Sequence, residues 1–409
     1  MEGPSQYASE ADMMVLSGLR SLGEAWVVGG WVRESLSGKP LTDMDIATTL
    51  LPNEVKELFP LSLMYGADYG TVVVRLKNHE EQWEVTTLRS EGGYGDGRRP
   101  DNVEFGVDIK DDLSRRDFTI NAMAYDSDWK LIDPFEGSID FNNGILKSVG
   151  NASNRLCEDG LRVMRAYRFL ASQKVVSMDR ELRAAVKENL GMLRQVSNER
   201  IGNEMMRTLS SQNASAALTM MDDDGVIREI LPGISTRTDL EFCGDSIVNL
   251  ALICSKDERS GNELTVLLRD SLKMSTDDLR EVSFLHYARD VPIPVEISEM
   301  RVFRAVLPRL RQTRFVRYFE GLGRDMDDFV GSLSELAPLR VGNSPIVDGN
   351  ALSEATGLEP GARMGRLKGM LHRIQVERDI SDKDQVLALL EELDWKESEY
   401  QNWPTLSWP

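Results

Sequence analysis

The stretch VVGGWVRESLSGKPLTDMDIATT, Val27 to Thr49, decides the fold of the N-terminal part of this chain. A short β-branched run leads into two glycines, and two aspartates one residue apart follow. Because side chains alternate along an extended strand, Asp43 and Asp45 are expected on the same face. Two adjacent carboxylates repel each other unless a cation lies between them. The stretch therefore predicts a metal site, and its glycines predict a phosphate close to the backbone.

Composition restricts the class of protein. The 409 residues are sufficient for two or three domains, and 41% hydrophobic with 28% charged residues is typical of a globular protein. No apolar run approaches the roughly 20 residues that cross a bilayer, so no membrane partner is predicted. The first residues lack a signal-peptide pattern. Three cysteines (Cys157, Cys243, Cys254) without a C-x-x-C motif predict a reducing cytoplasm and no structural zinc.

The net charge of −19 argues against a nonspecific nucleic-acid coat protein, although a local basic groove is compatible with it. The segment RVFRAVLPRLRQTRFVRYF, Arg301 to Phe319, has interleaved aromatics and no acidic residue. Two interpretations stay open for it, a solvated face of an amphipathic helix and an RNA-binding surface. Its arginines are Arg301, Arg304, Arg309, Arg311, Arg314 and Arg317.

The hydrophobic pattern predicts an α+β chain. Short β-compatible segments, such as TVVVRL (71–76) and QWEVTTLR (82–89), occupy about the first 140–150 residues. A loop, SEGGYGDGRRPDN (90–102), is expected to be mobile and exposed. Helical periodicity dominates afterwards, beginning with one predicted helix, LCEDGLRVMRAYRFLAS (156–172). The acidic C-terminal segment is expected to hold one helix and then a loose end.

The first candidate site contains three carboxylates. Glu84, in a later predicted strand, would join Asp43 and Asp45 if its strand lies beside theirs. Rossmann and Walker A motifs are absent, so the glycines do not belong to those nucleotide-binding loops. Carboxylates that hold Mg²⁺ would activate an attacking hydroxyl and neutralise a departing pyrophosphate, as in two-metal nucleotidyl transfer. For an isolated D-x-D the alternative is an ordinary surface turn.

The block LSRRDFTINAMAYD, residues 113–126, carries a pair of arginines, Arg115 and Arg116. Guanidinium groups bind phosphate oxygens in a bidentate manner, as a triphosphate site requires. The pair is also compatible with ordinary surface ion pairs to Asp111 and Asp112.

A third candidate site lies in EDGLRVMRAYRF, where Asp159 precedes Arg162 by three residues. On one helix face the two form at least a surface salt bridge, which contributes little stability. A carboxylate acceptor beside a guanidinium donor also complements the amino group and ring nitrogen of cytosine or adenine. Uracil and guanine present a carbonyl and an N–H there and would leave polar groups unpaired. The pair therefore suggests a protein template that selects C and A.

These blocks, GGxVRE…DMD, RRDFTINAMAY and EDxLRxxRAxRF, resemble in order and spacing the class II tRNA nucleotidyltransferases, the CCA-adding enzymes and their bacterial poly(A) polymerase relatives. SNERIGNEM (197–205) and residues 347–371 resemble later segments of that family. The resemblance implies a nucleotidyltransferase-fold (polymerase-β-like) mixed-sheet head at 1–147. An all-α neck (148–210), body (211–330) and tail (331–409) would follow, with the tRNA acceptor arm along the helices.

The resemblance also implies residue roles. Asp43 and Asp45 would hold catalytic Mg²⁺, and Gly30, Arg33 and Arg116 would contact the nucleotide phosphates.

In the neck, Asp159 and Arg162 would read the incoming base. Arg165 and Arg168 would support the nucleotide or its phosphates. Two positions depart from the family pattern, because Glu34 stands for the usual aspartate and Gly160 for the usual proline.

The predicted activity is addition of CCA to tRNA from CTP and ATP. A full loop at 87–105 resembles the A-competent type, which leaves A-only addition as an alternative. The acidic C-terminal segment disfavours a poly(A) polymerase. A noncatalytic RNA-binding protein would show damaged motifs, and three scattered histidines (His79, His286, His372) cannot supply the His-Asp cluster of a phosphohydrolase.

Overall fold

The computed structural model describes residues 3–40, 42–92, 102–172 and 174–408. The chain forms two compact units, one from residues up to 233 with 268–274, the other from 234–267 with 275–409. The finer division at 147, 210 and 330 stays a prediction. None of the helices in the described ranges is long and apolar enough to cross a membrane.

The strands of the described residues all belong to the first unit. They are β1 (Ala25–Val28), β2 (Asp45–Thr48), β3 (Thr71–Arg75), β4 (Gln82–Thr87), β5 (Arg89–Gly92), β6 (Asn102–Phe105), β7 (Ala124–Tyr125), β8 (Leu131–Ile132), β9 (Ile145–Leu146) and β10 (Ser177–Met178).

The α-helices begin before β1 and dominate after residue 150. They are α1 (Glu10–Arg20), α2 (Gly30–Ser35), α3 (Pro52–Leu58), α4 (Ile109–Ser114), α5 (Gly137–Asn142), α6 (Ala152–Glu158), α7 (Leu161–Leu170), α8 (Arg180–Glu188), α9 (Asn198–Leu209), α10 (Ala214–Asp223), α11 (Val226–Ile230), α12 (Ser246–Ile253), α13 (Gly261–Leu272), α14 (Thr276–Ala288), α15 (Ile297–Val306), α16 (Arg309–Gly321), α17 (Asp327–Glu335), α18 (Gly349–Thr356), α19 (Ala362–Arg378) and α20 (Lys383–Glu392). Short 3₁₀ turns lie at Pro4–Tyr7, Ala67–Tyr69, Thr119–Asn121, Leu190–Gln195, Cys254–Lys256 and Tyr400–Asn402.

A six-stranded mixed sheet in the order β3-β4-β2-β1-β7-β8 forms the centre of the first unit. β2 runs parallel to β4, with Ile46 opposite Val85, and its other neighbour β1 is antiparallel. Alternate residues of β1 belong to separate apolar clusters, Val27 to one and Trp26 to the other. All four residues of β1 are therefore buried, as expected of a strand covered on both faces. The mixed-sheet head and helical remainder predicted from the sequence are confirmed.

The predicted loop at 90–102 is wrong at both of its ends, because residues 90–92 belong to β5 and Asn102 belongs to β6. β5 and β6 pair antiparallel as a hairpin, with Arg89 opposite Phe105. Residues 93–101, which hold the rest of this prediction, lie outside the described residues.

The prediction of one helix over 156–172 is wrong, because α6 ends at Glu158 and α7 begins at Leu161. Asp159 between them is extended, with φ −145° and ψ 107°. A Cβ on Gly160 would lie only 2.4 Å from the carbonyl oxygen of Met192, so glycine permits a close backbone contact here. The Asp159 side chain accepts a hydrogen bond from the Leu161 amide at the start of α7, and the close approach of Met192 leaves no room for the family's usual proline.

The basic segment in the second unit forms two helices, since α15 ends at Val306 and α16 begins at Arg309. Pro308 precedes α16 and has no amide hydrogen to continue a helical ladder. The arginines of this segment are therefore divided between two helices.

The expected loose C-terminal end is also wrong for the residues described up to 408. Trp403 is buried in an apolar cluster with Leu367 and Trp395. The Trp408 ring packs edge-on against Phe303 and Phe315, with centroids 4.8 and 5.1 Å apart. Such aromatic contacts bury large apolar areas, and this order cannot be seen in the polar composition of the segment.

Replacing Trp408 with alanine should lower the free energy of unfolding by roughly 2 kcal/mol, because a half-buried ring loses its aromatic partners. Urea denaturation followed by far-UV circular dichroism measures the change. The control is Leu310→Ala, which removes an exposed side chain of the same unit and should change stability by less than about 0.5 kcal/mol. Equal midpoints for the two variants would mean that the C-terminal segment is loose after all.

Candidate active site

A cavity of about 620 Å³ in the first unit is lined by nine of the ten residues predicted to act in catalysis or nucleotide binding. They are Gly30, Arg33, Asp45, Glu84, Arg116, Asp159, Arg162, Arg165 and Arg168. Asp43, the tenth, lines an adjoining cavity of about 920 Å³ that also contains Asp45 and Glu84. Asp45 and Glu84 therefore lie where the two cavities meet.

The glycine turn after β1 is shaped around a carboxylate. Gly29 has φ +75°, a conformation that favours glycine, and a Cβ there would lie 2.7 Å from Oδ2 of Asp45. Gly30 faces Thr42, whose Oγ1 would lie 3.1 Å from an added Cβ. Gly29 thus leaves room for the Asp45 side chain at the wall of the cavity, and Gly30 leaves room for Thr42.

Strand pairing brings the carboxylates together. Asp45 and Glu84 each stand one position before the parallel pair Ile46 and Val85. They are therefore neighbours on two adjacent strands. Burial, followed by the charge of Glu84, raises the pKa of Asp45 to about 6. The predicted neighbourhood of Glu84 with the aspartates is confirmed.

Burial and the neighbouring carboxylate of Glu84 both disfavour the ionised form of Asp45, and a divalent cation beside it would favour that form. Among the described residues, no three His, Cys, Asp or Glu side chains form a complete ligand group. Mg²⁺ commonly takes only one or two protein carboxylates, with water and substrate phosphates completing its octahedron. Asp43 and Asp45, with Glu84 beside them, fit that donor set.

Arg33 connects the arginine-lined part of the cavity with the segment that carries Asp43 and Asp45. Its guanidinium donates to Asn121 Oδ1 and forms an ion pair with Glu34 at 3.2 Å. The other oxygen of Glu34 accepts from the Thr42 amide at 3.1 Å, next to Asp43. Glu34, the departure from the family's aspartate, therefore links Arg33 to the segment that carries Asp43.

Asp117 is a site residue that the sequence interpretation missed. It is 8% exposed, lines the cavity, and pairs with Arg165 at 2.6 Å while accepting from Asn121 Nδ2 at 3.0 Å. Although burial opposes ionisation, Arg165 and the hydrogen bond from Asn121 hold the pKa of Asp117 at about 2. Asp117 and Asn121 are polar positions four residues apart in the mostly apolar block DFTINAMAY. This pattern in the sequence could have indicated a buried polar network.

Arg168 faces the same cavity from the next turn of α7. It donates to Glu204 at 2.6 Å, and Arg207 lies 3.9 Å from the other oxygen of that carboxylate. Burial lowers the pKa of Arg168, although Glu204 opposes the shift. Arg168 and Arg207 both line the cavity, so Glu204 holds two cations at its wall.

Arg115 and Arg116 both pair with Asp112, at 2.8 and 3.4 Å. Because Asp112 is 1% exposed, the surface-pair interpretation is wrong for this carboxylate. Both arginines line the cavity, and the Nε atom of Arg116 is buried without a hydrogen-bond partner. An anion in the cavity is a suitable acceptor for that donor.

The predicted base-reading pair lies at the cavity wall, but the two side chains have different partners. Asp159 pairs with Arg200 at 2.8 Å. Arg162 pairs with Glu158 at 2.6 Å and also donates to the Arg115 carbonyl at 3.2 Å. The expected i,i+3 pair on a helix face is therefore wrong, because Asp159 precedes α7. Arg200 and Glu158 orient the pair, and the sequence interpretation missed both roles.

Most arginines of the basic segment in the second unit are engaged within that unit. Four donate to their own chain: Arg301 to the Glu377 carbonyl, Arg304 to the Leu336 and Ala337 carbonyls, Arg311 to Glu281, and Arg314 to Asp245 and Glu281. Arg309 and Arg317 are exposed and line a groove of about 780 Å³. The interpretation as RNA-binding surface therefore rests on these two.

Two family models match parts of the chain. The Poly A polymerase head domain matches residues 25–147, and the model described as "Probable RNA and SrmB- binding site of polymerase A" matches residues 176–237.

Similar proteins cover nearly the whole chain. The CCA-adding enzyme of Lactiplantibacillus plantarum is 32% identical over 89% of this chain and 91% of that enzyme. The CCA-adding enzyme of Streptococcus sanguinis is 31% identical over 95% of this chain and 98% of that enzyme.

The crystal structure of the Bacillus stearothermophilus CCA-adding enzyme in complex with CTP is similar in fold, with a TM-score of 0.80 and 26% identity. The similarity covers 96% of this chain and 98% of that one. The Thermotoga maritima CCA-adding enzyme complexed with tRNA shares the fold at a TM-score of 0.66 and 19% identity, covering 96% and 98%. With full-length relatives above 30% identity and a cavity that joins the family's motifs, this chain belongs to the CCA-adding enzyme family.

Proposed function

We propose that this protein adds CCA to the 3′ end of tRNA from CTP and ATP and releases pyrophosphate. The observation that carries the proposal is the single cavity that contains carboxylates, an arginine cluster and the Asp159/Arg162 pair. A nucleoside triphosphate needs all three, for its reacting phosphorus, its phosphate chain and its base. The relatives named CCA-adding enzymes favour this activity over poly(A) synthesis.

The arginines would bind the triphosphate and retain its charge as the bond to pyrophosphate breaks. Arg33, Arg165 and Arg168 enter the cavity from α2 and α7, and Arg116 supplies a buried Nε donor. Guanidinium groups are always ionised in proteins and donate in a fixed plane, which suits successive phosphate oxygens.

The base would be selected by hydrogen-bond pattern. Asp159 would accept from the amino group of cytosine or adenine, and Arg162 would donate to the adjacent ring nitrogen. The partners Arg200 and Glu158 hold these two side chains in place, so a base with the opposite pattern would set a carbonyl against the carboxylate and an N–H against the guanidinium.

We also propose that Asp43 and Asp45 hold Mg²⁺, with Glu84 beside them. When bound, the metal would lower the pKa of the tRNA 3′ hydroxyl and neutralise charge on the phosphates. Asp45, whose pKa lies near 6, has to be ionised to act as a ligand. The cytoplasmic location predicted from the cysteines and the N-terminal sequence stays a prediction.

The activity is tested with tRNA transcripts that end before CCA, after C and after CC. Each receives Mg²⁺ and labelled CTP, ATP, UTP or GTP alone, then CTP with ATP, and product lengths are resolved on a sequencing gel. We expect the shortest transcript to gain C, C and A and then stop, and chelation of the metal to abolish the products.

Asp45→Asn serves as the control for this assay, because it excludes activity from a contaminating host enzyme. Incorporation of A only, into the CC-ended transcript, would identify an A-adding enzyme that needs a separate CC-adding partner. Long A tails on any RNA would identify a poly(A) polymerase. Absence of incorporation would leave a noncatalytic RNA-binding protein.

We further propose that Arg309 and Arg317 contact the tRNA backbone. Replacing both with glutamine should weaken tRNA binding and reduce the slope of log K against log salt by about 1 for each lost phosphate contact. Filter binding at several salt concentrations measures both quantities. The control is the pair Arg280→Gln and Arg378→Gln, which removes two largely exposed charges elsewhere on the second unit. Identical slopes of log K against log salt for the two double variants would mean that Arg309 and Arg317 do not contact the tRNA backbone.

A further inference from the structure

Phe169 lies among the arginines that line the cavity. The guanidinium carbons of Arg168, Arg33 and Arg165 lie 4.3, 5.3 and 5.7 Å from the centroid of its ring. The ring is 6% exposed and lines the cavity itself. Its other aromatic contact is edge-on with Phe118, at a centroid distance of 5.6 Å. One phenyl ring is thus shared by three cations from two helices.

The three cations repel one another. Burial lowers the pKa of Arg33 and of Arg168, and the charge of Arg165 contributes to both shifts. Each arginine has one carboxylate partner: Arg33 pairs with Glu34, Arg168 with Glu204, and Arg165 with Asp117. A further carboxylate between them would reduce their repulsion, but it would occupy N–H donors that a phosphate needs.

An aromatic ring can hold guanidinium groups together without occupying their N–H donors. The face of the ring carries partial negative charge, which attracts a guanidinium without accepting its hydrogen bonds. A guanidinium attracted by a π-face keeps in-plane N–H groups available for anions. Leucine or methionine at this position would fill similar space and provide no such attraction.

We infer that Phe169 is a positioning residue that gathers the guanidinium groups of Arg33, Arg165 and Arg168 into one pyrophosphate-binding group. This inference rests on the proposed function, in which these arginines bind the triphosphate. The competing explanation is that Phe169 is an ordinary core residue, packed against Phe118. The two explanations differ in whether aromatic character, rather than volume, is required.

The test measures binding of inorganic pyrophosphate with Mg²⁺ by calorimetry, together with KM and kcat for CTP and ATP. Phe169→Leu should weaken pyrophosphate binding by roughly tenfold or more, because cation–π attraction to buried guanidiniums is lost. KM for both nucleotides should rise by a similar factor with kcat affected less. Phe169→Tyr keeps the ring face and should bind pyrophosphate within about threefold of the unchanged protein.

Phe118→Leu is the packing control. It removes the other ring of the aromatic pair and keeps the Phe169 ring over which the three arginines lie. It should lower thermal stability and leave pyrophosphate affinity unchanged. If Phe169→Leu does not fold, Phe169→Met gives the same comparison with a flexible side chain. Unchanged pyrophosphate binding in the folded Leu or Met variant would overturn the inference.

Arg168→Gln separates this inference from the proposed function. If Arg168→Gln weakens pyrophosphate binding and Phe169→Leu does not, the arginines bind phosphate and the role of the ring is refuted. If neither substitution changes binding, the arginine cluster does not hold the triphosphate, and both proposals fail. If Arg168→Gln and Phe169→Leu both weaken pyrophosphate binding and Phe169→Tyr retains it, the proposed function and the role of the ring are both supported.

Discussion

The ion pair between Asp117 and Arg165 is the interaction on which the geometry of the cavity depends. Asp117 follows the arginine pair of the head, whereas Arg165 belongs to α7. The carboxylate is buried yet stays ionised, because Arg165 and Asn121 hold its pKa at about 2. Asn121 in turn accepts from Arg33 on α2. Removing one member of such a buried pair leaves an uncompensated charge, typically at a cost of about 3–5 kcal/mol.

The cavity has opposite charge at its two ends, although the chain as a whole carries −19. Asp45 at the start of β2 and Glu84 in the adjacent strand β4 supply carboxylates, and arginines project from α2, α7 and the turn after α4. Each end is held by its own constraints, since Asp45 fits against Gly29 and the arginines have dedicated carboxylates. Local charge arrangement, rather than net charge, therefore determines what this protein binds.

Sequence patterns identified most of the cavity residues, because their chemistry is visible in residue type and spacing. Asp43 lies near Asp45 as its spacing suggested, although it precedes β2 and is not part of a strand. The parallel pairing that brings Glu84 beside Asp45 was anticipated only conditionally. The break at Asp159 was missed although Gly160 is a local sign of it, and the close approach of Gly160 to Met192 exists only after folding.

Pairing between distant residues accounts for the remaining errors. The sequence shows that Arg311 and Arg314 are basic, but not that Glu281 and Asp245 neutralise them. Phe169 looks like an ordinary apolar position of a helix, and its contacts with cations exist only after folding. For the same reason Trp408 looked like part of a loose polar end.

The most direct test of the account is equilibrium binding of the four nucleoside triphosphates to the protein without tRNA, since the central claim is that Asp159 and Arg162 read the base edge. Isothermal titration with Mg²⁺ should give similar dissociation constants for CTP and ATP. UTP and GTP should bind about tenfold more weakly or worse, because each would leave buried polar groups unpaired. Equal affinity for all four nucleotides would contradict base reading by this pair.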